Sequence, residues 1–389
     1  MSFNMQSILN MLAEDSKSIF SFITDNFAGM DGLSVVKMLA MWVIGGILIF
    51  LAIKKDMEPS LLLPMGFGAI LCNLPNSGAI GLDGPLTTLY NAGISNELFP
   101  LLLFIGIGAM IDFEPMLANP KLMLFGAAAQ FGIFMTLSLA ALVFGDIKEA
   151  AAIGMIGAAD GPTAIVVANT LKSTQLGSIT VAAYSYMALV PIIQPPIIRL
   201  LTTKKERLIR MQYKPQSVSK LTKILFPIFV TIIAGLVAPA SVALIGFLMF
   251  GNLIRECGVL GSLSETAQNV LANLITLLLG LVVASQMQYE KFLQVSTLII
   301  LALGLFAFVF DTAGGVLFAK LYNVFAKDKI NPMIGAAGIS AFPMSSRVIH
   351  KMALKEDPQN FILMQAVAVN VSGQIASVIA GGLILGYFI

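Results

Sequence analysis

Residues 155–163 read Met155-Ile156-Gly157-Ala158-Ala159-Asp160-Gly161-Pro162-Thr163, and they interrupt an apolar segment running from about residue 149 to 171. A carboxylate in such a segment costs about 2.5 to 3.5 kcal/mol on insertion scales, so Asp160 demands compensation. Gly161 and Pro162 break helical hydrogen bonding and free backbone carbonyls. Together these features predict a broken helix or re-entrant hairpin, which a membrane tolerates only where protein or a water-lined cavity surrounds it. A second apolar but interrupted stretch, 331–346, contains Met333-Ile334-Gly335-Ala336-Ala337, a recurrence of Met155 to Ala159. Two broken helices sharing a motif point to an internal repeat around a midplane ligand site.

The rest of the chain agrees with a membrane setting. Of 389 residues, 57% are hydrophobic and 11% charged, with a mean hydropathy of +0.89, whereas soluble domains carry charge on roughly a quarter of their residues. Apolar segments fall at about 35–53, 60–72, 98–112, 122–145, 177–200, 222–238, 242–255, 268–285, 292–325 and 361–388. Alternating ten-residue segments of a strand barrel are absent. The expected fold is an all-α membrane protein with about ten transmembrane helices and two broken-helix hairpins.

Charge position sets the expected topology. Between Arg199 and Lys223 lie Lys204, Lys205, Arg207, Arg210, Lys214 and Lys220 against Glu206 alone, which places this stretch in the cytoplasm. Lys54 and Lys55 put the first short loop on the same side. Counting crossings, hairpin 149–171 opens outward, and hairpin 331–346, flanked by Lys327, Lys329, Arg347, Lys351 and Lys355, opens to the cytoplasm. The halves 35–200 and 222–389 then form two inverted repeats, joined by a basic loop at 201–221. Residues 1–34 lack the basic start and small-residue cleavage site of a secretory signal. They read as a retained interfacial segment, with Phe3, Ile8, Met11 and Leu12 on an amphipathic face.

Some chemistries are excluded. With 23 basic and 21 acidic residues, there is no electrostatic case for nucleic acid. A single histidine, His350, leaves no zinc, haem or histidine-based triad to build. Cys72 and Cys257 make no metal-ligand spacing and read as buried thiols.

The polar residues inside apolar runs are the candidate site. The Asp160 carboxylate, Thr163 and freed carbonyls make an oxygen-rich cage suited to a small hard cation; equally, Asp160 suits a cap for the half-helix beginning near Thr163. Asn331 and Ser340 supply amide and hydroxyl oxygens, while Gly335 suits either close backbone approach or helix packing. Arg347 matches the geometry of an incoming carboxylate, and also that of a positive-inside anchor. Tyr186 and Asn370 sit at similar depth in the helices that follow the two hairpins. Asp311 also lies within an apolar run, before Thr312-Ala313-Gly314-Gly315.

These motifs carry a resemblance. Gly157 to Thr163, Tyr184-Ser185-Tyr186-Met187-Ala188-Leu189-Val190-Pro191 with Gln194-Pro195-Pro196, and Asn331-Pro332 through Pro343-Met344-Ser345-Ser346-Arg347 resemble the membrane beta subunit of biotin-dependent, sodium-translocating decarboxylases. The resemblance covers most of the chain from about residue 35. It implies a subunit in a bacterial cytoplasmic (inner) membrane that decarboxylates carboxybiotin and couples this to sodium export with proton uptake. It also implies partners: a carboxyltransferase alpha subunit, a biotin carrier protein bearing the biotin, a small single-span membrane subunit, and further copies of this chain.

Carried over by motif, Asp160, Tyr186, Asn331, Gly335, Ser340, Arg347 and Asn370 match the family's functional positions. Sodium is then expected at Asp160, Asn331, Gly335, Ser340 and Asn370, with Asp160 and Asn370 as metal ligands. Carboxybiotin is expected at Arg347, and the catalytic set is Asp160, Tyr186 and Arg347, with Tyr186 and Asp160 as proton carriers. The competing reading is a stand-alone sodium-coupled symporter of a small organic anion; a channel is less well matched, lacking a uniform polar pore face.

Overall fold

A computed structural model describes residues 26–28, 30–211 and 217–388. The amphipathic face expected at Phe3 to Leu12 lies outside the described residues. All ten expected apolar segments are helical, because a backbone stripped of water must satisfy its polar groups internally. Seven of these helices are long and apolar enough to cross a membrane, or eight spans if Pro85–Gly93 and Leu98–Met110, bent by 64°, count as one. The other helices at expected positions, Pro59–Cys72, Leu98–Met110 and Val242–Glu256, have 14, 13 and 15 residues, short of the roughly 20 a straight span needs.

Two of the short helices pack on each other through glycines. A Cβ on Gly108 would strike the carbonyl of Leu248, and one on Gly251 the carbonyl of Ile105. Such close approach of backbones replaces a hydrophobic driving force that lipid does not supply. Peripheral helices look different: Gly32–Lys55 leaves Val36, Val43, Ile47 and Phe50 exposed, and Lys220–Val237 leaves Phe229, Ile232, Ile233 and Leu236 exposed. These are lipid-facing apolar stripes. Helix Leu363–Phe388 is central, buried over most of its length.

Ion pairs gather the basic stretch at one end. Arg207 Nε meets Glu356 at 2.8 Å, Arg210 Nε meets Asp357 at 2.6 Å, and Lys223 pairs with Glu114. Asn331 and Asn360 both donate to the Arg207 carbonyl, at 2.8 and 3.1 Å. The feet of the second broken segment therefore stand at this basic end. The feet of the first stand elsewhere: Glu149 accepts from Ser173 Oγ at 2.7 Å and from the Gln175 N–H at 3.1 Å.

The first broken segment runs as Ile147–Gly154, a 3₁₀ turn Met155–Ala158, then Gly161–Thr170. The second begins with a 3₁₀ stretch, Pro332–Gly338, and continues as Met344–Glu356. Its second arm extends ten residues past the expected end at 346, because Arg347, His350, Lys351 and Lys355 give that arm no apolar signature. Cys72 and Cys257 are free thiols, half-buried rather than fully buried as expected.

Candidate functional site

The two tips touch. The Ser340 N–H donates to the Ala158 carbonyl at 3.2 Å, and the Ser340 hydroxyl donates to the Gly373 carbonyl at 2.9 Å. At the first tip, Ala159 adopts a left-handed conformation, φ 55°, which costs a non-glycine residue on the order of 1 kcal/mol and persists only where the surroundings fix it. That reversal delivers Asp160 to the start of helix Gly161–Thr170.

Asp160 does not cap this helix with its side chain. Its Oδ2 instead accepts from Thr163 Oγ1 at 2.5 Å and from Gln374 Nε2 at 3.0 Å. Both bonds fall on one oxygen, Oδ2. The residue is 3% exposed. A carboxylate this buried needs hydrogen bonds and a counter-charge, and none of the ion pairs among the described residues includes Asp160.

Helix Leu363–Phe388 supplies the facing surface. Asn370 donates from Nδ2 to the carbonyls of Ala337 at 3.0 Å and Ile339 at 2.7 Å, clamping the second tip. Its Oδ1 is buried without a partner. Gln374 and Ser377 follow at i+4 and i+7, so one polar stripe of an apolar helix faces both tips. That spacing is a signal in the sequence that would have revealed Gln374.

Tyr184, which sequence reasoning passed over, lies against the site. A Cβ on Gly161 would collide with its ring, and its hydroxyl is buried without a partner. Two buried oxygens thus stand unpaired around the tips: Asn370 Oδ1 and Tyr184 OH. Among the described residues no cluster of three or more His, Cys, Asp or Glu exists. One carboxylate with neutral oxygens suits a hard monovalent cation better than a transition metal.

The other expected residues are placed differently. The Tyr186 hydroxyl donates to the Leu301 carbonyl at 2.5 Å, and its ring packs on Phe308 and over Gly304, on the side of helix Val295–Phe325. Asn331 stands at the foot of the second segment, its Oδ1 capping the Met333 N–H at 3.1 Å and its Nδ2 spent on Arg207 and Ile209. Gly335 lies against Gly315, where a Cβ on either would strike the other's carbonyl. Gln194 ties the proline-rich helix Leu176–Leu201 to the second tip, donating to the Ala336 carbonyl at 2.8 Å and accepting from Ser345 Oγ at 3.0 Å.

Asp311 is a second buried carboxylate. Its Oδ1 accepts from the Gly132 N–H at 2.6 Å, where the helix break at Gln130 leaves that donor free.

Arg347 is exposed and lines a cleft of about 290 Å³ at the basic end, with Asp56, Glu58, Pro191, Pro195, Arg199, Lys351 and Lys355. Among the described residues it forms no ion pair within 4.0 Å. An unpaired guanidinium in a concave basic surface is arranged for an anion with planar oxygens.

Comparison with known proteins matches residues 37–388 to the family described as Na+-transporting oxaloacetate decarboxylase beta subunit. The chain is 46% identical to the probable oxaloacetate decarboxylase beta chain of Vibrio cholerae, over 89% of this chain and 94% of that one. It is 48% identical to the methylmalonyl-CoA decarboxylase subunit beta of Veillonella parvula, covering 89% and 91% of the two chains. It is also 48% identical to the glutaconyl-CoA decarboxylase subunit beta of Acidaminococcus fermentans, covering 89% and 92%.

Proposed function

We propose that this chain, which belongs to the family of beta subunits of Na+-transporting decarboxylases, decarboxylates carboxybiotin at its basic end and drives sodium outward past Asp160. As a family member it is the membrane subunit of a sodium-pumping decarboxylase complex. The observation that carries the finer reading is a buried Asp160 carboxylate bonded to Gln374, one helical turn after Asn370, whose Oδ1 is buried without a partner, where two broken helices meet. A carboxylate there is compensated by a cation or a proton, so exchange of one for the other is the natural cycle of the site.

Residues 35–200 and 222–389 act as two inverted repeats, each contributing one broken helix to the sodium site. Ser340 and Gly335 shape the second tip, and Asn331 fixes its foot rather than touching the ion. Tyr186 carries the proton from its place beside Leu301. Arg347 receives the carboxylate of carboxybiotin, and the biotin belongs to a carrier subunit. The complex lies in the bacterial cytoplasmic (inner) membrane with a carboxyltransferase alpha subunit, the biotin carrier, a small single-span subunit and further copies of this chain. Each sodium moved against 100 mV costs about 2.3 kcal/mol, so release of CO2 supplies the drive.

Relatives acting in three complexes with different named substrates are 46 to 48% identical to this chain, which supports substrate selection by another subunit. The relatives' names as subunits disfavour a stand-alone symporter. Purification from the native membrane followed by reconstitution tests the reading: sodium uptake into vesicles that requires carboxybiotin or the complete complex supports it. Anion-coupled sodium uptake by the lone chain would reverse it.

A further inference from the structure

We propose that Glu58 is the general acid of the carboxybiotin site, donating the proton that the departing ureido nitrogen needs when CO2 is released. The inference rests on the functional reading above and adds to it a residue that none of the carried-over motifs contains.

The loop between Gly32–Lys55 and Pro59–Cys72 holds Asp56 and Glu58, both in left-handed backbone conformations, φ 51° and 37°. Neither is glycine, so each conformation is held against a steric cost. Between them Met57 is buried, packed with Ala52, Leu62 and Ala188 against helix Leu176–Leu201. The loop is thus fixed to the wall of the cleft.

Glu58 stands at the N-cap of Pro59–Cys72, where a carboxylate ordinarily bonds the helix's free N–H groups. It makes no such side-chain bond. Its side chain lines the cleft that also contains Arg347, without an ion pair to Arg347 within 4.0 Å. With Asp56 also lining the cleft, three carboxyl groups would share this space once a substrate carboxylate arrives, and like charges at short range are not all kept ionised. The substrate's carboxylate must stay ionised to leave as CO2 and Asp56 is exposed to water, so the half-buried Glu58 is the partner that holds the proton. Around it the cleft presents Asp56 from its own loop, Arg199 from helix Leu176–Leu201, and Arg347, Lys351 and Lys355 from helix Met344–Glu356. Burial raises the Glu58 carboxyl above its ordinary value, with Asp56 adding to the rise and Arg347 opposing it.

The step balances. The N–C bond of carboxybiotin breaks, its electron pair stays on the ureido nitrogen, and CO2 departs. The Glu58 carboxyl proton goes to that nitrogen, leaving neutral biotin and a Glu58 carboxylate, which the proton taken up in exchange for sodium in the proposed cycle resets.

The test follows CO2 release from free carboxybiotin by the purified complex across pH, beside equilibrium binding of radioactive sodium. Glu58→Gln is expected to slow release at neutral pH on the order of 100-fold, the scale of general acid catalysis. It should also abolish the limb in which the wild-type rate falls as pH rises through the glutamic acid's value. Glu58→Asp should restore part of the rate and the limb, and sodium should bind both variants as it binds wild type. A wild-type rate in Glu58→Gln, a slowed rate with an unchanged pH profile, or joint loss of sodium binding would each overturn the assignment. Failure of the wild-type complex to release CO2 from carboxybiotin would instead strike the functional reading, and this assignment with it.

Discussion

Ser340 donates its backbone N–H to the carbonyl of Ala158 at 3.2 Å, closing the gap between two chain breaks that lie 182 residues apart in sequence. Each break leaves backbone groups that lipid cannot satisfy. By meeting tip to tip they satisfy part of each other's demand, and the Asp160 carboxylate beside them bonds neutral groups of both halves, the Thr163 hydroxyl and the Gln374 amide.

The small residues around the second tip set how closely it seats. A Cβ on Gly373 would strike the Gly338 carbonyl, whereas one on Gly246 has its nearest neighbour at 3.8 Å, the Thr231 methyl. Gly373→Ala is expected to destabilise by about 1 to 3 kcal/mol, as overpacking does. Gly246→Ala is expected to be neutral or slightly stabilising. Thermal unfolding of the two variants in detergent compares them directly; equal melting temperatures would show that the tip has room to yield.

Much of this fold was legible in the sequence, for particular reasons. Long apolar runs announce helices because only internal hydrogen bonding survives in lipid, and every one of the expected runs is helical. Asp160 announced itself through its cost. Pro85–Gly93 did not, since its mixture of Leu, Thr and Tyr matches a surface loop as well as a helix. Arm Met344–Glu356 was cut short because its polar face hides it from hydropathy. Tyr184 and Tyr186 lie two residues apart in one helix, so they face different neighbours, and no spacing rule tells which of them reaches Gly161. Gln374 was readable from its place four residues after Asn370.

Glu114 and Lys223 tie the short helix Glu114–Ala118 to the start of Lys220–Val237 at the basic end. The hydrogen bond from Lys223, aided by its charge, holds the Glu114 carboxyl below its ordinary value. A lowered folded-state value contributes stability that is present above the ordinary carboxylate value and is lost as pH falls through the lowered one. Glu114→Gln should therefore melt slightly below wild type at neutral pH, with the two converging in acid. The partly exposed pair limits the gap to about 1 kcal/mol or less. A gap that widened on acidification would contradict the sign.

The proposed inverted repeat makes a topological prediction. In a chain freed of Cys72 and Cys257, a cysteine at Thr174 should react with an impermeant thiol reagent added outside, and one at Lys205 only from the cytoplasmic side. Thr174 lies beside Glu149 at the feet of the first segment, while Lys205 belongs to the basic stretch. Labelling of both from one side would refute opposed hairpins.

Arg347→Lys keeps a positive charge in the cleft and removes the planar fork that grips a carboxylate with two parallel bonds. The concentration of free carboxybiotin giving half-maximal rate should rise about tenfold, the loss of roughly one charge-assisted hydrogen bond. The sodium concentration giving half-maximal rate should stay within twofold, because Arg347 lies in the basic-end cleft and forms no bond to either tip. A shift in sodium dependence alone would move Arg347 to the cation path.

Asp160→Asn separates a charge from a shape. Asparagine is nearly the same size and keeps one carbonyl oxygen able to accept from Thr163 and Gln374, as Asp160 Oδ2 does now. What disappears is the negative charge that, in the proposed cycle, binds sodium and exchanges it for a proton. Were Asp160 only a helix cap, asparagine would serve almost as well, and the absence of a capping bond already argues otherwise. In the assembled complex the variant should lose sodium transport and sodium-dependent release of CO2 together, each by more than about 100-fold, since about 2.7 kcal/mol or more is expected from an ion's sole charged ligand. Carboxyl transfer onto biotin by the partner subunit should continue. Thermal stability measured without sodium should match or exceed wild type, because a neutral amide costs less to bury than an unpaired carboxylate. Wild-type sodium transport by this variant, stably folded, would remove Asp160 from the ion's path and leave the two tips as a purely structural joint.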